Sequence, residues 1–357
     1  MQGRADPPVP PPRDTAGCTP RSPVATDRVL VQGVTILRAL ITGVRGFAGP
    51  HLVQTLARLT DWTIFGVTRH ADDTARGYTP IVADLLDREA VQRAIAEVAP
   101  THVFHLAAQS HVPTSLQDPA GTLVNNIVGQ VHLLEACRAL PAAPRILVVA
   151  SAEEYGLALP EEMPLDEQQP FRPMSPYAVS KVTQDLLGWQ YCRTYGLPIV
   201  RVRPFSHTGP GQSDRFAVSA FARQIAEIEA GLHPPVVRVG NLDAERDFLD
   251  VRDVVHAYYL ALTRGTPGEV YNVGGGTTLR IGAVLEALLA LSAVPMTVEK
   301  DLARLRPSDV PCFIGDSRRL REETGWHPTI PFEQTVRDTL DWWRARTQAS
   351  PAPRDQP

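Results

Sequence analysis

The sequence predicts a doubly wound α/β fold, in which helices cover both faces of a parallel sheet. Between Leu37 and Arg203, short apolar runs alternate with longer stretches that carry apolar residues at three-and-four spacing. This is the pattern of strands joined by crossover helices. A glycine-rich turn follows the first apolar run, and such turns bind nucleotides in this class of sheet. The chain of 357 residues is 43% hydrophobic, which is enough for one large domain or two coupled domains.

Six short apolar runs are expected to form the strands of the sheet. They are residues 38–42, 63–67, 80–83, 102–106, 145–150 and 198–203. Segments between them, such as HLVQTLARL and REAVQRAIAEV, have the apolar spacing of helices. After Arg203 the loops become rich in Gly, Pro and Asp, which predicts a smaller mixed α/β lobe built from several insertions.

The same changes in composition predict the domain boundaries. A Rossmann-type dinucleotide-binding domain is expected at residues 37–204 and 247–272, and the substrate-binding lobe at 205–246 and 273–345. Two terminal segments are expected to be disordered tails, because they are rich in proline and poor in apolar residues. These segments are residues 1–36, with seven prolines before Val24, and residues 346–357.

Composition excludes several classes of function. The net charge of -4 gives no general reason to expect nucleic acid or an acidic membrane as a partner. The four cysteines lie far apart without a CxxC pair, so neither a metal site nor a disulfide framework is expected. The proline-rich N-terminal segment has no apolar stretch like that of a signal peptide or a membrane span. We therefore expect a cytoplasmic protein.

The turn TGVRGFAGPHL has the glycine spacing of a dinucleotide-binding loop. Gly43 permits a tight turn, Gly46 lets the backbone approach a pyrophosphate, and Gly49 lets the following helix pack closely on the strand. A glycine triplet alone is a weak signal. Its place between the first strand and the first helix favours a dinucleotide site.

Two arginines favour NADP(H) over NAD as the dinucleotide. Arg69 follows the second strand, where an acidic residue would bind a ribose 2′-hydroxyl, and Arg45 lies inside the glycine loop. Guanidinium groups suit a 2′-phosphate, although both arginines could instead be ordinary surface residues. Other expected cofactor contacts lie just past the third and fourth strands. They are Asp84, Leu85, Leu106, Ala107 and Ala108.

The segment SPYAVSK places a phenol and an amine on one helix face. Ser175 is a good N-cap and Pro176 suits the first helical position, so a helix is expected to about Gly188. Tyr177 and Lys181 are then neighbours, and an ammonium lowers the pKa of a nearby phenol. An isolated pair of this kind is more often an ordinary exposed helix face, so its function depends on the surrounding motifs.

The motifs GxxGxxG, Asp84-Leu85, HLAAQS, SAEEYG and SPYAVSK, in this order, resemble the extended short-chain dehydrogenase/reductases over residues 37–343. The resemblance implies a catalytic set of Ser151, Tyr177, Lys181 and Glu153, and cofactor contacts at Phe47, Tyr177 and Lys181. In this role Ser151 holds the substrate carbonyl, and Tyr177 gives it a proton as hydride arrives from the nicotinamide. Lys181 lowers the pKa of the tyrosine and binds the nicotinamide ribose.

Further motifs narrow the resemblance within that family. RPMSPYAVSK, SHTGPGQSDRF, VGNLDAERDF and LRPSDVP are similar to segments of enzymes acting on GDP-6-deoxy sugars. Among these enzymes, the motifs resemble GDP-4-dehydro-6-deoxy-D-mannose reductase most and GDP-mannose 4,6-dehydratase next. The resemblance implies NADPH-dependent reduction of the C4 ketone of GDP-4-dehydro-6-deoxy-D-mannose to GDP-D-rhamnose. The implied substrate contacts are Ser151, Ser206, Ala217, Arg223, Arg246, Arg306 and Asp309. Ser206 replaces the asparagine of the family, and Asp309 replaces its usual glutamate.

Three alternatives stay open. A 4,6-dehydratase is one, because Glu153 occupies the position of the additional acid/base group of those enzymes. The segment after Phe205 lacks their paired arginines, which favours the reductase. A UDP-sugar 4-epimerase is a weaker alternative, since it keeps NAD bound and Arg69 suits a phosphate. A non-catalytic NADP(H) sensor is weaker still, because the chain retains the tyrosine and the lysine.

The resemblance also implies a homodimer. In relatives, two helices of each subunit form a four-helix bundle across the interface. The corresponding segments here are VHLLEACRAL and TQDLLGWQYCRTY, which have suitable apolar faces.

Overall fold

The computed structural model describes residues 36–69, 77–304 and 312–349. Its main sheet has seven parallel strands in the order β11-β6-β5-β4-β1-β2-β3. These strands are β1 (Arg38–Thr42), β2 (Thr63–Thr68), β3 (Thr79–Val82), β4 (His102–His105), β5 (Arg145–Val149), β6 (Ile199–Pro204) and β11 (Val270–Val273). The order reverses direction beside β1, as in a doubly wound sheet, so the predicted fold class is confirmed.

Helices cover both faces of this sheet. The α-helices of the described residues, including those of the smaller lobe, are α1 (Ala48–Leu59), α2 (Arg88–Val98), α3 (Val112–Gln117), α4 (Pro119–Leu123), α5 (Gly129–Arg138), α6 (Pro176–Tyr195), α7 (Ala217–Glu229), α8 (Val251–Arg264), α9 (Ile281–Leu289), α10 (Arg318–Thr324) and α11 (Phe332–Ala349). On one face, apolar side chains of α1 and α8 form a buried core with the sheet. On the other face, a second core is built by α2, α5 and α6.

The six predicted strands form β1 to β6, with ends that differ by no more than one residue. The seventh strand, β11, was not among the predicted strands. It is only four residues long and contains the polar Asn272, although all four residues are buried. Helix α6 is longer than expected, because it passes Gly188 and ends at Tyr195, before Gly196, which has φ +72°.

A smaller lobe contains three short sheets and its own hydrophobic core. The remaining strands are β7 (Ser206–Thr208), β8 (Val236–Val239), β9 (Glu245–Arg246), β10 (Phe248–Asp250), β12 (Leu279–Arg280), β13 (Thr297–Lys300) and β14 (Cys312–Phe313). They pair as β7 with β10, β8 with β13, and β12 with β9 and β14. Apolar residues of α7, α9 and α11 pack together beside these sheets. This is the mixed α/β lobe that the loop-rich sequence predicted.

One predicted boundary needs correction. Residues 346–349 were expected to belong to a disordered tail, but α11 continues to Ala349. Arginine, glutamine and alanine in this stretch are good helix formers, and the Arg346 guanidinium lies 5.3 Å from the centre of the Trp342 ring. The predicted tails at 1–35 and 350–357 lie outside the described residues.

Candidate active site

The candidate site lies at the carboxyl edge of the parallel sheet, where β1, β4 and β5 end next to one another. The backbone N–H of Leu106 donates to the Thr42 carbonyl at 3.3 Å, and that of Ala107 donates to Thr42 Oγ1 at 3.2 Å. The glycine loop after β1 is thereby held against the HLAAQS segment after β4. Ser151 follows β5 at the same edge. The sheet therefore brings together three of the motifs that the sequence singled out.

Close backbone approaches explain two of the three glycines in the loop. Gly43 has φ +70°, and a Cβ there would lie 2.8 Å from the Ala107 nitrogen. A Cβ on Gly49 would lie 2.1 Å from the Val44 carbonyl oxygen. Gly46 closes the turn by donating its N–H to the Gly43 carbonyl at 2.9 Å. Helix α1 begins directly after this loop, and the N–H groups and dipole at the start of a helix suit an anion.

The residues predicted to bind the adenosine side of the cofactor are exposed or half-buried. Arg69 directly follows β2, and both it and Arg45 are exposed. The Asp84 carboxylate accepts the Leu86 N–H at 2.9 Å and so shapes its own turn. Leu85 is half-buried, and its carbonyl oxygen is hydrogen-bonded to His132 Nδ1 at 2.9 Å. These contacts hold the loop after β3 in place beside the sheet edge.

Helix α6 begins as the sequence predicted. Ser175 Oγ accepts the Ala178 N–H at 3.1 Å, and Pro176 occupies the first helical position. Tyr177 and Lys181 lie one turn apart and are both buried. The Lys181 Nζ donates to the Val149 carbonyl at 2.8 Å and lies 6.0 Å from the centre of the Tyr177 ring. The amine is therefore anchored at the end of β5, below the phenol.

Ser151 completes this group. It is buried, with 7% of its surface exposed, and its side chain is close enough to Tyr177 to lower the pKa of the phenol. Its Oγ also accepts the Glu153 N–H at 3.2 Å. Glu153 itself is exposed, and its carboxylate is close enough to raise the pKa of Tyr177. The structure thus brings together all four residues predicted to be catalytic.

The electrostatics differ from the sequence-based expectation that Lys181 lowers the pKa of Tyr177. Burial raises the pKa of Tyr177 above its ordinary value, and the nearby Ser151 hydroxyl only partly offsets this effect. Burial also lowers the pKa of Lys181 to about 8, while Glu154 opposes that change. For both groups, burial changes the pKa more than the nearness of the other group does. Tyr177 is therefore a neutral phenol near pH 7, the form that donates a proton.

A buried amide that the sequence reasoning missed links the motifs. Asn126 lies in a π-helical turn, residues 124–128, between α4 and α5. Its Oδ1 accepts the Gln109 N–H at 2.7 Å, and its Nδ2 donates to Ser180 Oγ at 2.9 Å. The HLAAQS segment is thereby joined to the helix that carries Tyr177. The signal in the sequence that could have indicated Asn126 is an amide side chain within the apolar pattern of NNIVGQ.

The residues predicted to bind the substrate differ in their exposure and in their contacts. Ser206 begins β7 and is half-buried, whereas Ala217 is exposed at the start of α7. The Arg223 guanidinium pairs with Glu227, at 2.7 Å, and with Asp214. Arg246 Nη1 donates to the Glu245 carbonyl at 2.9 Å. Arg306 and Asp309 lie outside the described residues.

An aromatic contact joins the glycine loop to the segment after β6. The rings of Phe47, in the glycine loop, and His207, beside Ser206, are stacked with centroids 5.9 Å apart and planes 7° apart. His51 Nε2 is hydrogen-bonded to the Pro210 carbonyl at 2.8 Å. The glycine loop and the segment after β6 therefore pack directly on each other.

Among residues 36–69, 77–304 and 312–349, no group of three or more His, Cys, Asp or Glu side chains is arranged to hold a metal ion. Within these ranges no helix combines the length and apolar character needed to cross a bilayer.

Comparisons with known proteins cover nearly all of this architecture. Residues 40–339 match the family model described as GDP-mannose 4,6 dehydratase. A GDP-6-deoxy-D-mannose reductase of Pseudomonas aeruginosa is 36% identical over 312 residues, which span 87% of this chain and 98% of that protein. A GDP-mannose 4,6-dehydratase of Vibrio cholerae is 29% identical over 351 residues, which span 85% of this chain and 92% of that protein.

Two solved structures extend the comparison. The structure of RMD from Pseudomonas aeruginosa complexed with NADPH has a TM-score of 0.78 and 35% identity, and the match covers 87% of this chain and 99% of that chain. The UDP-glucose 4-epimerase of Thermus thermophilus, in complex with NAD, has a TM-score of 0.77 and 31% identity, covering 86% and 99%. The matches to sequence, motif order and fold agree, and the chain belongs to the GDP-mannose 4,6-dehydratase family of extended short-chain dehydrogenase/reductases.

Proposed function

We propose that this protein is an NADPH-dependent reductase that converts GDP-4-dehydro-6-deoxy-D-mannose into GDP-D-rhamnose. The observation that carries the proposal is the buried phenol of Tyr177, which lies close to the Ser151 side chain and one helical turn from Lys181. A protonated phenol held beside a hydroxyl suits the reduction of a ketone. The similarity to the GDP-6-deoxy-D-mannose reductase of Pseudomonas aeruginosa supports the choice of sugar.

The glycine loop fits a dinucleotide. Side chains at Gly43 and Gly49 would collide with backbone atoms, so the loop carries no side chain at these two positions beside the N-terminus of α1. Arg45 and Arg69 would bind the 2′-phosphate of NADP(H), with Asp84 and Leu85 at the adenine and the 106–108 segment along the cofactor. NADPH, when bound, supplies the hydride for C4 of the sugar.

The side chains of this chain then handle the proton. Ser151 would donate a hydrogen bond to the C4 carbonyl oxygen and so hold the ketone in place. Tyr177 would donate its proton to that oxygen as hydride reaches the carbon, which leaves a phenolate and a secondary alcohol. The Lys181 ammonium would stabilise the phenolate, because the two groups share one helix face. Reprotonation of Tyr177 from solvent completes the cycle.

The smaller lobe would hold the nucleotide. We assign the diphosphate to Arg223, Arg246 and Arg306, the guanosine ribose to Asp309, and further sugar-nucleotide contacts to Ser206 and Ala217. Arg223 pairs with Asp214 and Glu227 in this structure. Binding a phosphate there would require Arg223 to exchange at least one of these carboxylates.

A GDP-mannose 4,6-dehydratase is the second candidate, and one observation favours it. Glu153 is exposed beside Ser151 and acts electrostatically on Tyr177, so it is placed to remove a proton from a bound sugar. This reaction would consume GDP-mannose without net oxidation of the cofactor.

Product analysis by NMR distinguishes the two activities. The protein is incubated with the keto-sugar plus NADPH, and separately with GDP-mannose plus NADP⁺. We expect GDP-D-rhamnose and NADPH oxidation in the first reaction and unchanged GDP-mannose in the second. Formation of the keto-sugar from GDP-mannose, with no reduction in the first reaction, would establish the dehydratase instead.

The preference for NADPH is expected to depend on Arg69. Replacing Arg69 by alanine removes a charge-assisted hydrogen bond to the 2′-phosphate, so the KM for NADPH should rise by about tenfold or more. The KM for NADH, which lacks that phosphate, should change by less than about twofold on the same reasoning. Arg93→Ala is the matched control, because Arg93 is an exposed arginine on α2, paired with Glu89 at 3.7 Å. Equal effects on both cofactors would exclude the assigned contact.

Activity should also fall at high pH. Burial lowers the pKa of Lys181 to about 8, and the amine is charged only below that value. If the ammonium stabilises the Tyr177 phenolate, kcat/KM should be level near neutrality and fall about tenfold per pH unit above the pKa of Lys181. Arginine stays charged over this range, so Lys181→Arg should lower the rate but remove the alkaline fall. A wild-type profile that stays level to about pH 10 would contradict this role.

We also propose a homodimer built through α6 and the turn at residues 124–128. The resemblance implied α5 as the partner of α6 in the interface, but Leu133, Leu134 and Cys137 of α5 are buried in the core of this chain. Apolar side chains are exposed on α6 and on the turn, with 46% of Trp189, 48% of Leu186 and 47% of Val124 accessible. Leu186 and Trp189 are three residues apart and share one helix face. A second copy of this face would bury these groups, and sedimentation velocity of the wild-type protein measures the assembly directly.

A further inference from the structure

A buried carboxylate beside Ser151 has no role in the steps described so far. Glu154 ends the short helical turn Ala152–Glu154 and has no exposed surface. Its Oε1 accepts the backbone N–H of Ser151 at 3.0 Å. Ser151 Oγ accepts the Glu153 N–H at 3.2 Å in return. The backbone and the side chain of Ser151 are thus both fixed by this turn.

The other side of Glu154 is held by β6. Arg203 Nε lies 3.2 Å from Glu154 Oε2 and 2.7 Å from Asp185 Oδ2. The same guanidinium donates to the Tyr155 hydroxyl at 3.0 Å and to the Glu167 carbonyl at 3.1 Å. Glu154 therefore lies between an arginine of the neighbouring strand and the backbone of Ser151, and its hydrogen bond is to Ser151, because Oε2 has no hydrogen-bond partner among the described residues.

Burying the Glu154 carboxyl group is expected to cost the fold stability, so its role must be sought elsewhere. Burial and the nearby Asp185 raise the pKa of Glu154 well above its ordinary value, so a charge on this carboxyl group is disfavoured. An apolar residue of similar size commonly stabilises a protein as well as a buried polar or charged group does. Arg203 does not require Glu154 as a counter-ion, because Asp185 already pairs with it. What Glu154 alone provides is the acceptor for the N–H of Ser151.

We propose that Glu154 is a positioning residue, which orients Ser151 so that its hydroxyl meets both Tyr177 and the substrate carbonyl. This inference rests on the proposed reduction, in which Ser151 holds the ketone. A misplacement of a reacting group by a fraction of an ångström lowers the rate of the chemical step. Glu154 therefore acts on kcat through Ser151, and leaves the binding of NADPH unchanged.

Four variants test this role with the keto-sugar and NADPH: Glu154→Met, Glu154→Gln, Ser151→Ala and the Ser151→Ala/Glu154→Met double variant. Glu154→Met removes the acceptor and should lower kcat by about tenfold or more, on the scale expected for loss of positioning. Glu154→Gln keeps an oxygen acceptor of the same reach and should stay within about threefold of wild type. The double variant should match Ser151→Ala within about twofold, because residues that act as a unit are not additive. NADPH affinity, measured by fluorescence titration, should be unchanged in all variants.

Glu162→Met is the matched control. Glu162 ends the next short helical turn, accepts the Leu159 N–H at 2.7 Å and pairs with Arg172 at 2.6 Å. It repeats the same local geometry away from Ser151, so its loss should leave kcat unchanged. If Glu154→Met does not fold, Glu154→Asp keeps a carboxyl group but withdraws the acceptor, and a similar loss of kcat is expected.

Wild-type kcat in Glu154→Met, or in Glu154→Asp where that variant replaces it, would overturn the inference. A double variant that loses the full Glu154→Met factor beyond Ser151→Ala would also overturn it. If the wild-type protein does not reduce the keto-sugar at all, the proposed function itself fails, which is a distinct result.

Discussion

Replacing Tyr177 by phenylalanine is expected to lower kcat for reduction of the keto-sugar by about 10³-fold, within the range of general acid catalysis. The phenol is the only group that we assign to protonate the C4 oxygen, and phenylalanine fills the same space without a proton to give. Tyr177 is also largely buried, with 8% of its surface exposed, so water cannot readily take its place. Stopped-flow measurement of NADPH oxidation in a single turnover isolates this step from product release.

Tyr191→Phe is the matched control for this experiment. Tyr191 lies on the same helix, is also buried, and its hydroxyl donates to Glu135 Oε1 at 2.8 Å, away from Ser151. It should retain wild-type kcat. NADPH affinity should be unaffected in both variants, because neither change removes a charge. Undiminished turnover in Tyr177→Phe would show that another group protonates the C4 oxygen.

The main sheet and the start of the site were predictable from sequence because both depend on local patterns. Strands β1, β2, β4, β5 and β6 are short apolar runs that are largely buried, so they need no tertiary information to be found. The edge strand β3 buries only Ile81, but it has the same short apolar run. Gly43 and Ser175 are also local signals, since a left-handed turn and an N-cap each follow from one residue and its neighbours. Their order along the chain then indicated the family.

The parts that could not be predicted depend on burial and on contacts between distant segments. Asn126 and Glu154 are polar residues in a buried setting, and the sequence gives no measure of burial for a single polar side chain. The pKa of Tyr177 shows the same limit, because spacing predicted the effect of Lys181 and omitted the larger effect of burial. Strand β11 was missed for a related reason, since Asn272 interrupts its apolar run and is satisfied by Tyr155 at 2.6 Å.

Another consequence of burial concerns stability. Asp185, on α6, has no exposed surface and accepts hydrogen bonds from two arginines of β6, Arg201 and Arg203, the latter at 2.7 Å. Its carboxylate lies between two guanidinium groups that are almost completely buried. This cluster therefore anchors the helix that carries Tyr177 and Lys181 to the centre of the sheet.

Replacing Asp185 by asparagine is expected to lower the free energy of unfolding by about 3–5 kcal/mol, since removing one partner leaves buried positive charge uncompensated. Urea titration followed by tryptophan fluorescence measures this change. Glu135→Gln is the control, because Glu135 pairs with Arg138 on a partly exposed helix surface and should contribute less than about 1 kcal/mol. A loss for Asp185→Asn no larger than that of the control would show that the cluster does not anchor α6.

The pH dependence of stability gives an independent check on Asp185. Burial would raise the pKa of this carboxyl, but Arg203 and Arg201 outweigh that effect and hold the pKa below its ordinary value. A depressed pKa in the folded state means that the ion pairs stabilise the protein above the ordinary pKa of aspartate, and that this stability is lost as pH falls through the folded value. Wild type should therefore lose stability in acid more steeply than Asp185→Asn, and the two curves should converge at low pH. Parallel curves would place the stabilising charge elsewhere in the protein.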